Sequence, residues 1–471
     1  MSVYVFLSFA VVLFRVCVKT SRLKNVYVFV CDLNLYILND GAAMRIYVKG
    51  FGCSSSLADA EVLAGCLSRA GHTIVSSLQE AELALYNTCA VKGPTENRMI
   101  NLLKGIPKEK KLIVAGCLPL INFERLSKEV CFDGVVGPAL GEKVVDVVSR
   151  VSKGERVADL EDAAMNMPRL DLPRMRSNPR VSIIPVNYGC LGSCSYCCVR
   201  FARGRLRSYS IREILNKVER DVAEGVREFW LTSQDTACYG KDVDTDLAEL
   251  LKGVCGVKGD FFVRVGMMTL NNLMNIVDEL MEAFQNEKVF KFLHLPVQSG
   301  DDSVLGRMNR FYSTRDFVMA VGKFRGAFRQ STVATDVIVG FPGEAEEAFK
   351  NTCKLIEDVR PDIVNISKFF ARPKTSAVDL KSQVSPLEVK RRSACLASLV
   401  RRIAFERNSE WNGWSGRVLV DEVGKQGSVV GRNFAYKPVV IRSRYGRGLL
   451  GQFVSVKVVG VFQSYLLGEI T

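Results

Sequence analysis

From Met44 onward the hydrophobic positions fall into short runs separated by polar, helically spaced segments. Arg45-Ile46-Tyr47-Val48 reads as a strand. Residues 59–70 carry Val62, Leu63, Cys66 and Leu67 at helical spacing, and Gly71 stops the helix. Leu83-Ala84-Leu85-Tyr86 is the next strand, residues 96–103 a helix and Lys111-Leu112-Ile113-Val114-Ala115 another strand. Val135-Val136-Gly137 adds a short strand, and residues 142–151 a helix. Strands alternating with helices predict a parallel sheet with helices on its faces.

The pattern then breaks. Residues 152–180 are polar and punctuated by Pro168, Pro173 and Pro179, which reads as a linker. Strand–helix units resume at 182–187, with strands at 228–232, 261–265, 292–297, 333–339 and 363–366. About six β/α units across 182–375 predict a partial (β/α) barrel with polar residues at the strand C-termini. Residues 386–410 read as a basic helix (Lys390, Arg391, Arg392, Arg401, Arg402), whose charge suits a solvated face equally well. From Trp414 short strands and glycine turns predict a small OB-like β-barrel. The expected fold class is α/β in three domains, over 44–151, 181–410 and 411–471, with 152–180 as linker.

A chain of 471 residues is long enough for two to four such domains. A net charge of +14 and a pI of about 9.1 suit a polyanionic partner. Fifteen cysteines, an odd number, do not look like a disulfide framework; a reducing cytoplasm with metal-bound thiolates fits better. Residues 3–14 are apolar, but a spanning helix needs about 20 apolar residues. No basic segment precedes them, which argues against a secretory signal. Asp32 and Asn34 cut the second apolar patch, 26–38. The expectation is that residues 1–43 precede a working start at Met44 and give no stable membrane association, with a membrane anchor as the alternative.

The cysteine spacing carries the chemistry. Cys190, Cys194 and Cys197 stand at C-x3-C-x2-C just after an apolar run, and Gly189 and Gly192 let the loop curl around one centre. Four thiolates would close an iron–sulfur cube; three leave one iron open. The alternatives are a zinc site missing its fourth ligand, or unpaired buried cysteines, although zinc sites more often use paired C-x2-C knuckles or nearby His. Cys198 follows Cys197 directly, and neighbours rarely reach the same centre. Cys53, Cys89 and Cys117 each end a predicted strand, 36 and 28 residues apart. All strand C-termini of an open parallel sheet share one edge, so these three predict a second cluster, against the alternative of three independent core cysteines. In the last domain Arg432, Lys437, Arg442, Arg444 and Arg447 interleave with Phe434, Tyr436 and Tyr445. Charge for phosphates and rings for bases suit single-stranded nucleic acid; a solvated basic β domain is the alternative.

With Tyr196 before its last cysteine, the C-x3-C-x2-C loop resembles that of the radical S-adenosylmethionine (SAM) enzymes. The resemblance implies that the open iron chelates the amino and carboxylate groups of SAM, and that the reduced cluster splits SAM into methionine and a 5′-deoxyadenosyl radical. Lys49-Gly50-Phe51-Gly52-Cys53, Asn87-Thr88-Cys89-Ala90-Val91, Ala115-Gly116-Cys117-Leu118-Pro119 and the terminal β-barrel extend it. From Met44 on, about nine tenths of the chain, the protein resembles the radical SAM methylthiotransferases with a C-terminal TRAM domain. That family implies two 4Fe-4S clusters, the one on Cys53, Cys89 and Cys117 supplying or carrying sulfur. It also implies an electron donor and a sulfur source as partners.

Residues 201–209, 231–240 and 294–299 resemble the archaeal and eukaryotic branch. Its members convert N6-threonylcarbamoyladenosine, beside the tRNA anticodon, to the 2-methylthio derivative, so the anticodon arm of tRNA is the implied substrate. Sister branches act on isopentenyladenosine or on an aspartate of a ribosomal protein, and Gln234-Asp235-Thr236 is close to the last of these. A non-catalytic RNA-binding iron–sulfur protein is a third reading. The resemblance puts Tyr196 near the SAM adenine, and Gln234, Arg264, Gln298 and Asp336 at strand ends around SAM or substrate; each also suits an ordinary loop hydrogen bond. Residues 337–344 resemble the segment that shapes the adenine pocket. Radical chemistry fits the implied reaction, because C2 of adenine has a strong C–H bond that no side-chain base can exploit.

Overall fold

The computed structural model describes residues 43–442 and 446–471, and upstream of them only the strands β1 (Val5–Phe6), β2 (Leu13–Phe14), β3 (Tyr27–Cys31) and β4 (Asn34–Leu38). The expectation for the N-terminal extension lies outside the described residues, as do Arg444 and Tyr445.

The first domain runs β5 (Arg45–Gly50), α1 (Ser54–Arg69), β6 (Thr73–Val75), β7 (Leu83–Thr88), α2 (Gly93–Lys104), β8 (Lys111–Gly116), α3 (Cys117–Ile121), α4 (Phe123–Glu129), β9 (Gly134–Val136), α5 (Val144–Ser152) and β10 (Val157–Asp159). All six strands are parallel, in the order β10-β9-β8-β7-β5-β6. The chain leaves β5 toward β6 on one side and then builds outward through β7 on the other. The C-terminal edge between β5 and β7 is therefore a topological switch point, where open sheets leave a crevice. Leu83, Leu85, Ile113 and Val136 fill one face against α1 and α5; Ala84, Tyr86, Val114 and Val135 fill the other.

The stretch 152–180 is not a free tether. Val157–Asp159 pairs with β9 as the sheet edge. Leu170 and Leu172 are buried, and the backbone N–H groups of Met175 and Ser177 donate to the Glu61 carbonyl and carboxylate on α1. A few apolar anchors among prolines suffice to lay this segment on the domain.

The second domain holds β11 (Val181–Pro185), β12 (Asn187–Tyr188), α6 (Val199–Arg203), β13 (Arg207–Ser208), α7 (Ile211–Ala223), β14 (Glu228–Thr232), α8 (Leu247–Gly256), β15 (Phe262–Val265), α9 (Leu270–Leu273), α10 (Val277–Ala283), β16 (Phe292–His294), α11 (Asp302–Arg307), α12 (Thr314–Ala327), β17 (Thr332–Val339), α13 (Glu346–Val359), β18 (Ile363–Lys368) and α14 (Pro386–Ser409). Strands β11-β14-β15 and β16-β17-β18 form two parallel sheets joined by the Val263–Val289 bridge, giving the expected six-stranded partial barrel. Alternation sorts the side chains. Phe229, Leu231, Val263, Val265, Leu293, Val333 and Val337 point out to the helices and make the largest core. Leu57 and Ala58 of α1 pack on Val181, Ile183 and Trp230, so the first domain lies against the inner face of β11.

The third domain is a closed barrel, β19 (Ser415–Val423), β20 (Ser428–Asn433), β21 (Pro438–Arg442), β22 (Phe453–Val461) and β23 (Leu466–Ile470), in the order β19-β20-β21-β23-β22. Its docking corrects the reading of its basic and aromatic residues as one nucleic-acid surface. Tyr436 packs on Phe290 and Phe292, with ring centroids 4.8 and 5.0 Å away, and Phe453 on Phe262 at 5.6 Å. Phe434 packs with Trp411 and Trp414. Lys437 is buried, with Nζ 2.8 Å from both Asp362 Oδ1 and Asn408 Oδ1. Arg432 pairs with Asp421 at 3.3 Å over the Tyr436 ring. Tyr436, Phe453, Lys437 and Arg432 join the domain to the N-terminal end of the (β/α) barrel, while Phe434 fills the domain's own core; Arg442 and Arg447 remain exposed. On α14, Arg391 and Arg392 pair with Glu388 and Glu346, so much of its charge is neutralised within the fold.

Candidate active site

The first cysteine set sits at the switch point. Cys53 follows β5 and caps α1, Cys89 follows β7, and Cys117 follows β8 as the first residue of α3. Cys53 is exposed, while Cys89 and Cys117 are buried. Burial pushes the Cys89 thiol up to about 12, with Cys117 and Cys53 raising it further and the Val91 N–H and Arg203 easing it. Burial also raises Cys117, against Arg203. Gly52 makes the close approach possible: a Cβ there would stand 2.6 Å from Cys89 Cβ and 3.0 Å from its sulfur.

The second set lies in the loop after β12. Gly189 turns it at φ +77°, and the Gly192 N–H donates to Cys190 Sγ at 3.2 Å. A Cβ on Gly192 would stand 3.3 and 3.7 Å from the sulfurs of Cys190 and Cys194. The missing side chain keeps the ground beside two sulfurs clear. Asn309 Nδ2 donates to the Ser193 carbonyl at 2.8 Å, and the Ser195 N–H to the Met308 carbonyl, which fixes the loop against the end of α11. Burial raises Cys197 to about 12 and Cys190 to about 11. Such thiols hold their protons until a metal displaces them.

Both sets fit iron–sulfur ligation: three soft donors each, with one glycine, Gly52 or Gly192, leaving room beside the sulfurs. Among the described residues no three His, Cys, Asp or Glu side chains form a group that could hold a single metal ion. A cube asks for a wider spread, since each thiolate takes a different iron. Every described cysteine is a free thiol.

The two sets face the same rim. Ser54 Oγ lies 2.6 Å from Thr232 Oγ1 at the end of β14, and Gln234 Nε2 donates to Ser55 Oγ at 3.4 Å. The residues just after Cys53 therefore touch the C-terminal ends of the barrel strands. Cys198 is buried 4.0 Å from the carbonyls of Ala90 and Val91, beside Cys89. Its packing between the two loops explains why it is not free to join its neighbour as a ligand.

Tyr196 meets Phe341 edge-on at 6.4 Å, with Ile338 and Phe369 nearby, which brings the cluster loop and the 337–344 segment together. Its hydroxyl accepts from Arg310 Nη2 at 2.7 Å. Asp336 Oδ2 lies 2.9 Å from His294 Nε2. Burial alone would raise this carboxyl; His294, Asn365 and Lys92 overrule it and hold it below its ordinary value. Gln298, at φ +70°, donates its N–H to the Asp336 carbonyl at 2.8 Å. Tyr196, Gln234, Gln298 and Asp336 thus share the C-terminal rim with the six cysteines. Asp235, next to Gln234, is buried and tied to Asn272 and to the N–H of Thr269, so it shapes the loop.

Arg264 does not join them. Its guanidinium lies between the rings of Trp230, Phe292 and Tyr436, at 5.2–5.3 Å from each centroid, turned toward the third domain. Sequence reasoning also gave no role to Arg203, Arg310, His294 and Lys92. His294 and Arg203 fall inside motifs that were singled out, but nothing in residue type or spacing marks a buried arginine.

A six-stranded partial β/α barrel with a C-x3-C-x2-C loop at its C-terminal rim defines a radical SAM protein. The Radical SAM superfamily profile matches residues 184–356, the TRAM domain profile residues 413–471, and that of Uncharacterized protein family UPF0004 residues 45–137. The fold is similar to that of the radical S-adenosylmethionine methyltransferase TsrM from Kitasatospora setae, solved with tryptophan and a SAM analog. The TM-score is 0.56 at 13% identity, over 71% of this chain and 75% of that one. A Pyrococcus abyssi protein named "Probable threonylcarbamoyladenosine tRNA methylthiotransferase" is 40% identical over 91% of this chain and 99% of its own length. The Drosophila pseudoobscura pseudoobscura protein named "Threonylcarbamoyladenosine tRNA methylthiotransferase" is 37% identical over 90% of this chain and 77% of its own. The chain belongs to the threonylcarbamoyladenosine tRNA methylthiotransferase family. Among the described residues no helix is long and apolar enough to cross a membrane.

Proposed function

We propose that this protein adds a methylthio group to C2 of N6-threonylcarbamoyladenosine beside the tRNA anticodon, in the cytoplasm, with two 4Fe-4S clusters and SAM. The observation that carries the reading is the facing of the two cysteine sets, tied by the Ser54–Thr232 and Gln234–Ser55 contacts. Cys190, Cys194 and Cys197 hold one cluster; Cys53, Cys89 and Cys117 hold the other. Bound at the first, SAM supplies one-electron chemistry able to break an unactivated C–H bond. Tyr196 and Phe341 offer a flat apolar wall for an adenine ring. His294, Asp336 and Lys92 offer polar groups at the barrel mouth to the nucleoside. The burial of Cys89 and of Asp235 beside the loops limits water at the rim. An electron donor and a sulfur source complete the turnover. Residues 44–151, 181–410 and 411–471 act as the sulfur, radical and tRNA-binding units, joined through 152–180.

Nucleoside mass spectrometry of tRNA from cells with and without the gene tests this. The 2-methylthio derivative should disappear on deletion while threonylcarbamoyladenosine persists. Persistence of the 2-methylthio derivative, or loss of methylthio-isopentenyladenosine instead, overturns the substrate assignment. Anaerobic reconstitution that yields no SAM cleavage overturns the enzyme reading.

A further inference from the structure

Arg203 ends α6, which starts two residues after Cys197, yet its side chain reaches the other cysteine set. It is 2% exposed, and its Nη1 stands 2.7 Å from Oδ2 of Asp59, also 2% exposed, on the helix that Cys53 caps. Tyr188 donates to the other oxygen of Asp59 at 2.8 Å, and its ring centroid lies 5.7 Å from the guanidinium carbon. Cys117 packs in one core with Ala202, the neighbour of Arg203, and both Cys117 and Cys53 lie within electrostatic reach of the guanidinium. Neither Nη nitrogen makes an aligned hydrogen bond, and neither does Asp59 Oδ2. A buried cation with one carboxylate and two unused donors is under-compensated. Anionic sulfur, from thiolates or from the sulfides of a cluster, supplies the missing acceptors.

We propose that Arg203 is a positioning residue for the N-terminal cysteine set: it favours the reduced form of the cluster that Cys53, Cys89 and Cys117 hold. The inference rests on the two-cluster reading above. Reduction adds one negative charge to a cluster. A fixed cation in a low-dielectric interior stabilises that charge, and the carboxylate of its partner Asp59 opposes it. Arg203 and Asp59 therefore act on the potential with opposite signs. Because Arg203 rides on α6, it also ties the geometry of one cysteine set to the other.

The test is an anaerobic redox titration followed by electron paramagnetic resonance. It uses the full-length protein carrying Cys190→Ala, Cys194→Ala and Cys197→Ala, so that only the N-terminal set binds iron. Arg203→Gln should lower the reduced-to-oxidised ratio at fixed potential about tenfold, or about 59 mV for one electron. Arg203→Lys should lower it less, and Asp59→Asn should raise it. If Arg203→Gln fails to fold, the sign of the Asp59→Asn shift still decides. If the triple-cysteine background fails to fold, the resonance that SAM leaves unperturbed is followed in the otherwise unchanged protein. Unchanged potentials, or shifts of the same sign in Arg203→Gln and Asp59→Asn, reduce Arg203 to a packing role with the two-cluster reading intact. Absence of iron from the N-terminal set removes that reading and this inference with it.

Discussion

The two ends of the (β/α) barrel are built on the same six strands and do opposite work. At the C-terminal ends, Thr232, His294 and Asp336 present polar groups to cysteine loops and to the first turn of α1. At the N-terminal ends, Glu228, Phe262 and Phe292 meet Tyr436, Phe453 and Arg432 of the terminal β-barrel in a packed, ion-paired joint. Arg264 lies mid-strand and turns toward the joint, where three rings receive its guanidinium. Parallel strands give the two rims different neighbours: loops that can vary at one end, and a docking face at the other. An inward-facing charged residue is therefore catalytic or adhesive according to which end it leans to.

The largest expected effect belongs to the C-terminal rim. Cys190→Ala should abolish SAM cleavage, a loss of roughly a thousandfold or more, because the cofactor carries the chemistry. Changing Cys53, Cys89 and Cys117 together to Ala should leave SAM cleavage in place, remove methylthiolation and halve the bound iron, measured by colorimetric iron assay. Equal iron in the two proteins would sink the two-set arrangement.

The joint should respond in stability and not in chemistry. Lys437→Ala removes the nearest cation from the buried Asp362, leaving Arg407 at 3.4 Å, Arg325 at 3.7 Å and the Val333 N–H beside it. With two arginines still facing the carboxylate, the loss should be smaller than the about 3–5 kcal/mol of a buried charge left uncompensated. Urea unfolding should shift accordingly, and proteolysis should release the terminal β-barrel sooner, while iron content stays unchanged. A variant as stable as the parent would mean that Arg407 and Arg325 suffice for Asp362.

Glu228 sharpens the comparison through pH. Burial, with Asp421 beside it, pushes its carboxyl up to about 8, against the Trp230 hydrogen bond, Arg432 and Arg264. A folded value above the unfolded one means that its contribution to stability is complete below about 4.5 and is lost as pH rises through about 8. Chemical denaturation across pH 5 to 9 should show this decline in the parent and a flatter profile in Glu228→Gln. Parallel profiles would show that Glu228 is ionised in the joint.

The smallest effect lies on the remaining exposed charge of the terminal domain. Arg442→Ala with Arg447→Ala should weaken tRNA binding and reduce the salt slope by about 0.7–0.9 per lost phosphate contact. SAM cleavage without tRNA should be unaffected. An unchanged slope would assign anticodon-arm recognition to another surface.

Local signals were enough for much of this. Short apolar runs closed by Cys53, Cys89 and Cys117 placed three thiols on one sheet edge, because every strand of a parallel sheet points the same way. The C-x3-C-x2-C spacing with Gly192 defined the cluster loop, since ligand spacing within a turn is a local property. The same held for the six β/α units and the terminal β-barrel. The direction in which Arg264 leans, the burial of Lys437 and Tyr436, the partnership of Arg203 with Asp59, and the recruitment of Val157–Asp159 to the sheet edge were decided only by tertiary structure. Each depends on a surface supplied by residues 75 or more positions away or by another domain or, for β10, on an open sheet edge left by β9. Residue type fixes what a side chain can bond to; only the assembled neighbours decide whether it meets solvent, a substrate or another domain.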